Sequence, residues 1–168
     1  MKMFTCRNED PVSVTQFWAV CVLKIKEYQS SFTSKQKLLP NVTTESIRNV
    51  IPFIEEFGVM VDFEVTDSWI HYVVWIPRTS KKVDIDPFAV PYFNHWKAVA
   101  VMIYWIAGGQ TNGELELLPG NTWVDVRNVL LGYLQKLGLG YSIKMTIDNE
   151  KCSFVAVPGI PSVTADYV

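Results

Sequence analysis

His71 and His95 are the two imidazoles of this 168-residue chain, and imidazole is the side chain whose charge changes most readily near neutral pH. If Asp67-Ser68 is a tight turn, His71 lies opposite Glu64, with Asp62 on the same face. A carboxylate beside an imidazole can orient it as a general base or join it around a metal, and a hydrolase would use such a set. The competing reading is a solvated cross-strand charge pair. We favour that pair, because acid–base and metal sites gather more titratable groups than these.

The other reactive types are similarly isolated. His95, beside Trp96, reads as a helix-start residue, and Asp84 and Asp86 read as solvated charge in a proline-flanked link. Gly108 to Gly113 lacks the spacing of a nucleotide fingerprint, and no serine sits in a G-x-S-x-G setting. Cys6, Cys21 and Cys152 form no C-x-x-C pair, which suits reduced thiols, and two of them fall on inward faces. We therefore expect no catalytic residue, no metal and no cofactor.

Two polar or aromatic sets remain as binding candidates. Arg48-Asn49 and Arg127-Asn128 recur at like places in two similar segments, where a symmetric pair of guanidinium groups could grip an anionic ligand. The plainer alternative is that each arginine ties its own helix to the preceding loop or to a nearby acid. Trp69, His71 and Trp75 alternate on the side of a strand opposite its apolar face, so either the other half covers them or they form a protein interface.

Composition narrows the classes further. Net charge is −2, with 49% apolar and 19% charged residues, which describes a globular protein and disfavours nucleic acid. Met1 to Asp10 carries no apolar stretch of the kind that export requires, so a cytoplasmic protein is expected, and the Asn41 sequon loses its meaning there. Ala98 to Ala107 is apolar but falls well short of the roughly 20 residues of a membrane span.

LLPNVTTESIRNVIPFIEEFG from Leu38 and LLPGNTWVDVRNVLLGYLQKLG from Leu117 nearly repeat each other. Around each copy the same types of element follow in order: an apolar segment from about Thr15 or Asn94, a helix after Thr43 or Thr122, a glycine stop at Gly58 or Gly138, and an alternating hairpin. Asp125 completes a capping pattern after Thr122, and Pro52 predicts a kink or a late helix start. The first segment of each copy has helical spacing, although its valines leave a strand open.

The expectation is an α+β fold made by tandem duplication of an α-α-β-β unit, its antiparallel hairpins packed on helices about a pseudo-twofold axis. Residues 1–77 and 94–168 are the two repeats, 78–93 a linker, and the halves share one core. The second hairpin's register is left open: its turn, placed at Asp148-Asn149, pairs Met145 with Cys152, whereas matching Pro77 to Pro158 implies a shift by one position.

Three functions follow from these readings. The first is a non-catalytic binding or adaptor protein working through an aromatic-rich surface, with a protein partner and a possible self-association. The second is a binder of a small anionic ligand or nucleotide derivative in the cleft between halves. The third is a hydrolase built on His71 with Glu64 and Asp62. The first is favoured, and a compact accessory protein of this kind would suit a virus.

Overall fold

Ser13 starts the first helix through a reciprocal cap. Its Oγ accepts from the Gln16 amide at 3.1 Å, and its own amide donates to Gln16 Oε1 at 3.0 Å. The computed structural model describes residues 6–27, 32–75, 90–116 and 123–168, and all their side chains except those of 25–27, 90–96 and 125. Within that range the first half contains α1 (Val14–Glu27), β1 (Phe32–Lys37), α2 (Thr44–Glu55), β2 (Met60–Thr66) and β3 (Trp69–Trp75). The second contains α3 (Val90–Ala107), β4 (Asn112–Glu116), α4 (Trp123–Lys136), β5 (Tyr141–Asp148), β6 (Lys151–Pro158) and β7 (Ser162–Tyr167).

The fold is α+β, with antiparallel hairpins against helices. Sheet 1 has strand order β1-β3-β2 and sheet 2 has β4-β6-β5-β7. Each half therefore inserts a strand that the α-α-β-β expectation lacks. Phe32–Lys37 reads FTSKQK, and its inward positions after Phe32 are Ser34 and Gln36, so no apolar alternation marks it. In β4 the inward positions are Gly113 and Leu115. β7 was also unforeseen. It pairs with β5 in parallel, after the chain crosses the start of β5 where the Gly159 amide donates to the Gly140 carbonyl at 3.0 Å.

The first segment of each half is helical. α3 begins at Val90, inside the span expected to be linker, while 78–89, with Asp84 and Asp86, lies outside the described residues. Thr122 and the side chains of His95 and Asp125 lie outside them as well. α2 opens on Thr43, whose side chain accepts from the Ser46 amide at 3.2 Å, and it runs unbroken through Pro52. The proline leaves the Arg48 carbonyl without its amide donor, and both residues sit on the exposed side of the helix. Gly58 and Gly138 follow α2 and α4 with φ of 81° and 70°, a backbone that side-chain-bearing residues resist.

The first hairpin has the expected register, with Val65 opposite Ile70, Phe63 opposite Tyr72 and Val61 opposite Val74. Its turn residues Asp67 and Ser68 both have positive φ, the backbone that matches the twist of the flanking strands. The second hairpin turns at Asn149-Glu150, one residue later than the sequence reading. Met145 therefore meets Phe154, and Ile147 meets Cys152.

The buried residues form one cluster that draws on both halves. Phe17 of α1 meets Tyr72 of sheet 1 edge-on, with centroids 5.1 Å apart. Trp105 of α3 stacks on Phe154 of sheet 2 at 5.9 Å. α1 packs against α3, where Gln16 Nε2 donates to the Tyr104 carbonyl at 3.3 Å. The helix pair thus lies between the inner faces of the two sheets.

Candidate functional site

β3 is the central strand of sheet 1, and its pleat sorts its residues strictly. Ile70, Tyr72 and Val74 are buried against the helices, while Trp69, His71, Val73 and Trp75 point to the other face. On that outer face Lys35 and Glu64 flank His71 in register, Thr33 and Asp62 flank Val73, Lys37 and Thr66 flank Trp69, and Met60 lies opposite Trp75. Trp69, Val73 and Trp75 are half-buried, Met60 is 40% exposed, and His71 is exposed.

Charge is sorted by strand. Lys35 and Lys37 line the β1 flank, Asp62 and Glu64 the β2 flank, and the aromatic ridge runs between them. Lys35 Nζ sits 5.0 Å above the Trp69 ring, a cation over a π face. The structure therefore brings Trp69, His71 and Trp75 together on one surface, as their alternation suggested.

It does not join His71 to an acid. Glu64 is aligned with His71, but no hydrogen bond or ion pair links His71 to Glu64 or Asp62. The Asp62 carboxylate instead accepts from the Phe63 amide at 2.9 Å. Among the described residues no three His, Cys, Asp or Glu side chains gather where they could hold a metal.

No described hydrogen bond or ion pair joins the arginine candidates to each other. Arg48 is exposed and pairs with Glu45 in its own helix at 3.6 Å, Asn49 and Asn128 are exposed, and Arg127 is half-buried. The polar contact between α2 and α4 lies further along both helices: the Tyr133 hydroxyl donates to the Glu56 carboxylate, and Lys136 pairs with Glu56 at 3.6 Å. Glu56 is about two turns beyond Arg48, and no described contact brings Arg48 to Arg127.

Burial first, and then the Glu56 hydrogen bond and charge, push the Tyr133 phenol above its ordinary value. A phenol raised in the folded state contributes stability that is intact below about pH 10 and is lost as pH climbs beyond that. Tyr133→Phe is expected to destabilise by about 1.5–3 kcal/mol, the worth of a hydrogen bond to a charged group, and to remove this alkaline loss. Urea unfolding at pH 7 and pH 10.5 reads both effects.

Sequence reasoning missed one polar cluster. Lys24 is half-buried and donates to Ser34 Oγ at 3.0 Å, Tyr72 Oη at 3.2 Å and Asn8 Oδ1 at 3.4 Å. The signal was faint, because the partners are strung from Asn8 to Tyr72 along the sequence. The thiols are all free. Burial raises Cys152 to about 12 and raises Cys21 as well, which leaves both unreactive. Cys6, also raised chiefly by burial, accepts from the Tyr104 hydroxyl at 3.3 Å.

Compared with family models, curated proteins and solved structures, the chain matches none. No described helix is long and apolar enough to cross a membrane.

Proposed function

We propose that this is a non-catalytic binding protein, placed in the cytoplasm, that docks a protein partner on the outer face of sheet 1. One observation carries the reading: Trp69, Val73, Trp75 and Met60 stand side by side on the sheet face turned away from the core. Large apolar side chains on such a face are stabilised by whatever removes them from water, and tryptophan is the residue most enriched at binding hot spots. The charged flanks add orientation. A partner with an apolar centre, acids toward Lys35 and Lys37 and bases toward Asp62 and Glu64 would be held in one direction. Glu64 lies opposite His71 but no described bond joins them, which favours this over the hydrolase reading.

The test is capture from the native source with immobilised wild-type chain and the Trp69→Ser, Trp75→Ser double variant. A protein retained by the wild type and lost from the double variant, with both chains melting within a few degrees of each other, is the expected result. Equal capture by the two, or none by either, would remove the proposal.

A further inference from the structure

Aligned by their sequence offset, the two halves carry opposite chemistry at like register positions of their sheets. In sheet 2, Gly113 lies opposite Phe154, and Trp105 covers the pair. Ile103, ten positions before Gly113, is fully buried, and Leu115 lies opposite Cys152. In sheet 1 the corresponding places hold Ser34 opposite Tyr72, Lys24 ten positions before Ser34, and Gln36 opposite Ile70. One half is apolar throughout. The other builds a lysine, a serine, a tyrosine and a fully buried glutamine into the same layer.

Lys24 is the anomaly within that layer. Its described partners are the neutral oxygens of Ser34, Tyr72 and Asn8 and the face of the Tyr72 ring, 5.7 Å from the ammonium, and no described carboxylate lies within ion-pair reach. Partly withdrawing a charge from water without an opposite charge has a cost, and the aligned place in the second half is held by the fully buried Ile103. Places where a sequence breaks its own local packing rule are expected at functional or strained sites.

The surroundings suit a negatively charged guest. Ser34 Oγ accepts from Lys24, so its own proton points elsewhere, and it donates to no described residue. Gln36 Nε2 holds the backbone of the N-terminal segment through the carbonyls of Arg7, Asn8 and Asp10 at 3.3, 2.9 and 2.6 Å. The Lys37 amide adds a bond to the Asn8 carbonyl at 2.8 Å. With the segment's backbone pinned, the Asn8 side chain keeps one described bond, that from Lys24. Its bond to Lys24 is the longest of the three at 3.4 Å. Asp10, the nearby acid, is occupied by the Arg7 amide at 3.1 Å and guanidinium at 3.8 Å.

We propose that Lys24 and Ser34 anchor a binding site for a small oxyanion, the carboxylate or phosphoryl group of a ligand, which takes the place of Asn8 Oδ1 on the ammonium. The site is on the inner side of sheet 1, facing away from the tryptophans, and does not depend on the docking face.

The full chain is melted in increasing inorganic phosphate and, separately, in acetate, each against chloride at equal ionic strength. A ligand that binds only the folded state raises Tm saturably. At least one anion is expected to do so for the wild type, and the one that acts identifies the ligand's chemistry. Ser34→Ala should weaken the response several-fold, and Lys24→Met should abolish it while melting, without anion, no lower than the wild type. Should Lys24→Met fail to fold, amide resonances of Asn8 and Ser34 in the wild-type chain supply the reading, and they are expected to shift saturably with the same anion. The proposal is overturned if neither anion moves Tm or these resonances beyond the chloride control, or if Lys24→Met responds as the wild type does.

Discussion

Trp18→Ala is expected to destabilise the protein by about 3–5 kcal/mol, the cost of emptying a fully buried indole site. Trp18 has no exposed surface and packs against Tyr133 with ring centroids 4.9 Å apart, so one side chain ties α1 of the first half to α4 of the second. A domain's total stability is on the order of 5–15 kcal/mol, so the variant would approach half-unfolded behaviour under mild conditions. Its indole Nε1 is buried without a hydrogen-bond partner among the described residues. Trp18→Phe keeps much of the ring and removes that orphaned donor, so it should lose clearly less than the alanine variant. Urea titrations of the three chains decide the ranking, and equal losses for phenylalanine and alanine would contradict it.

Gly113→Ala is expected to cost about 1–3 kcal/mol or more through overpacking. A Cβ there would stand 2.8 Å from a Trp105 ring atom and 2.9 Å from Phe154. Both rings are buried and stacked on each other, so neither can yield like the end of a flexible chain, and β4 itself would have to move. Gly132, in the middle of α4, has nothing within 4 Å of the same added atom. Gly132→Ala should therefore stabilise by about 1 kcal/mol, because alanine is the better helix former. Opposite shifts in Tm from the same added methyl group would establish that Gly113 is held by tertiary packing, and a neutral Gly113→Ala would refute it.

What could be read from the sequence follows how locally each feature is encoded. Ile47, Val50, Ile54 and Phe57 recur at helical spacing and are all buried, and the first hairpin alternates so regularly that its register could be written down. The ridge of Trp69, His71 and Trp75 was legible for the same reason. β1 and β4 were not, because Ser34, Gln36 and Gly113 occupy inward positions and erase the period. The second turn was misplaced because Asp148, Asn149 and Glu150 are all plausible turn residues, and only the positive φ of Asn149 separates them. Lys24 was invisible because a lysine among apolar neighbours reads as solvated, and its tyrosine partner lies 48 positions away.

The contacts that unite the helix layer span long stretches of chain. Gln16 meets Tyr104 from 88 positions away, Tyr104 meets Cys6 from 98, and Tyr133 meets Glu56 from 77. Closing such loops costs more entropy than closing a two-residue turn, and folding slows as contacts lengthen. Hairpins form in about 1–10 μs in isolation. The slow event in this molecule is accordingly expected to be the meeting of α1 with α3, and a chain that has not reached it would carry finished strands with no lasting partner for their oily side.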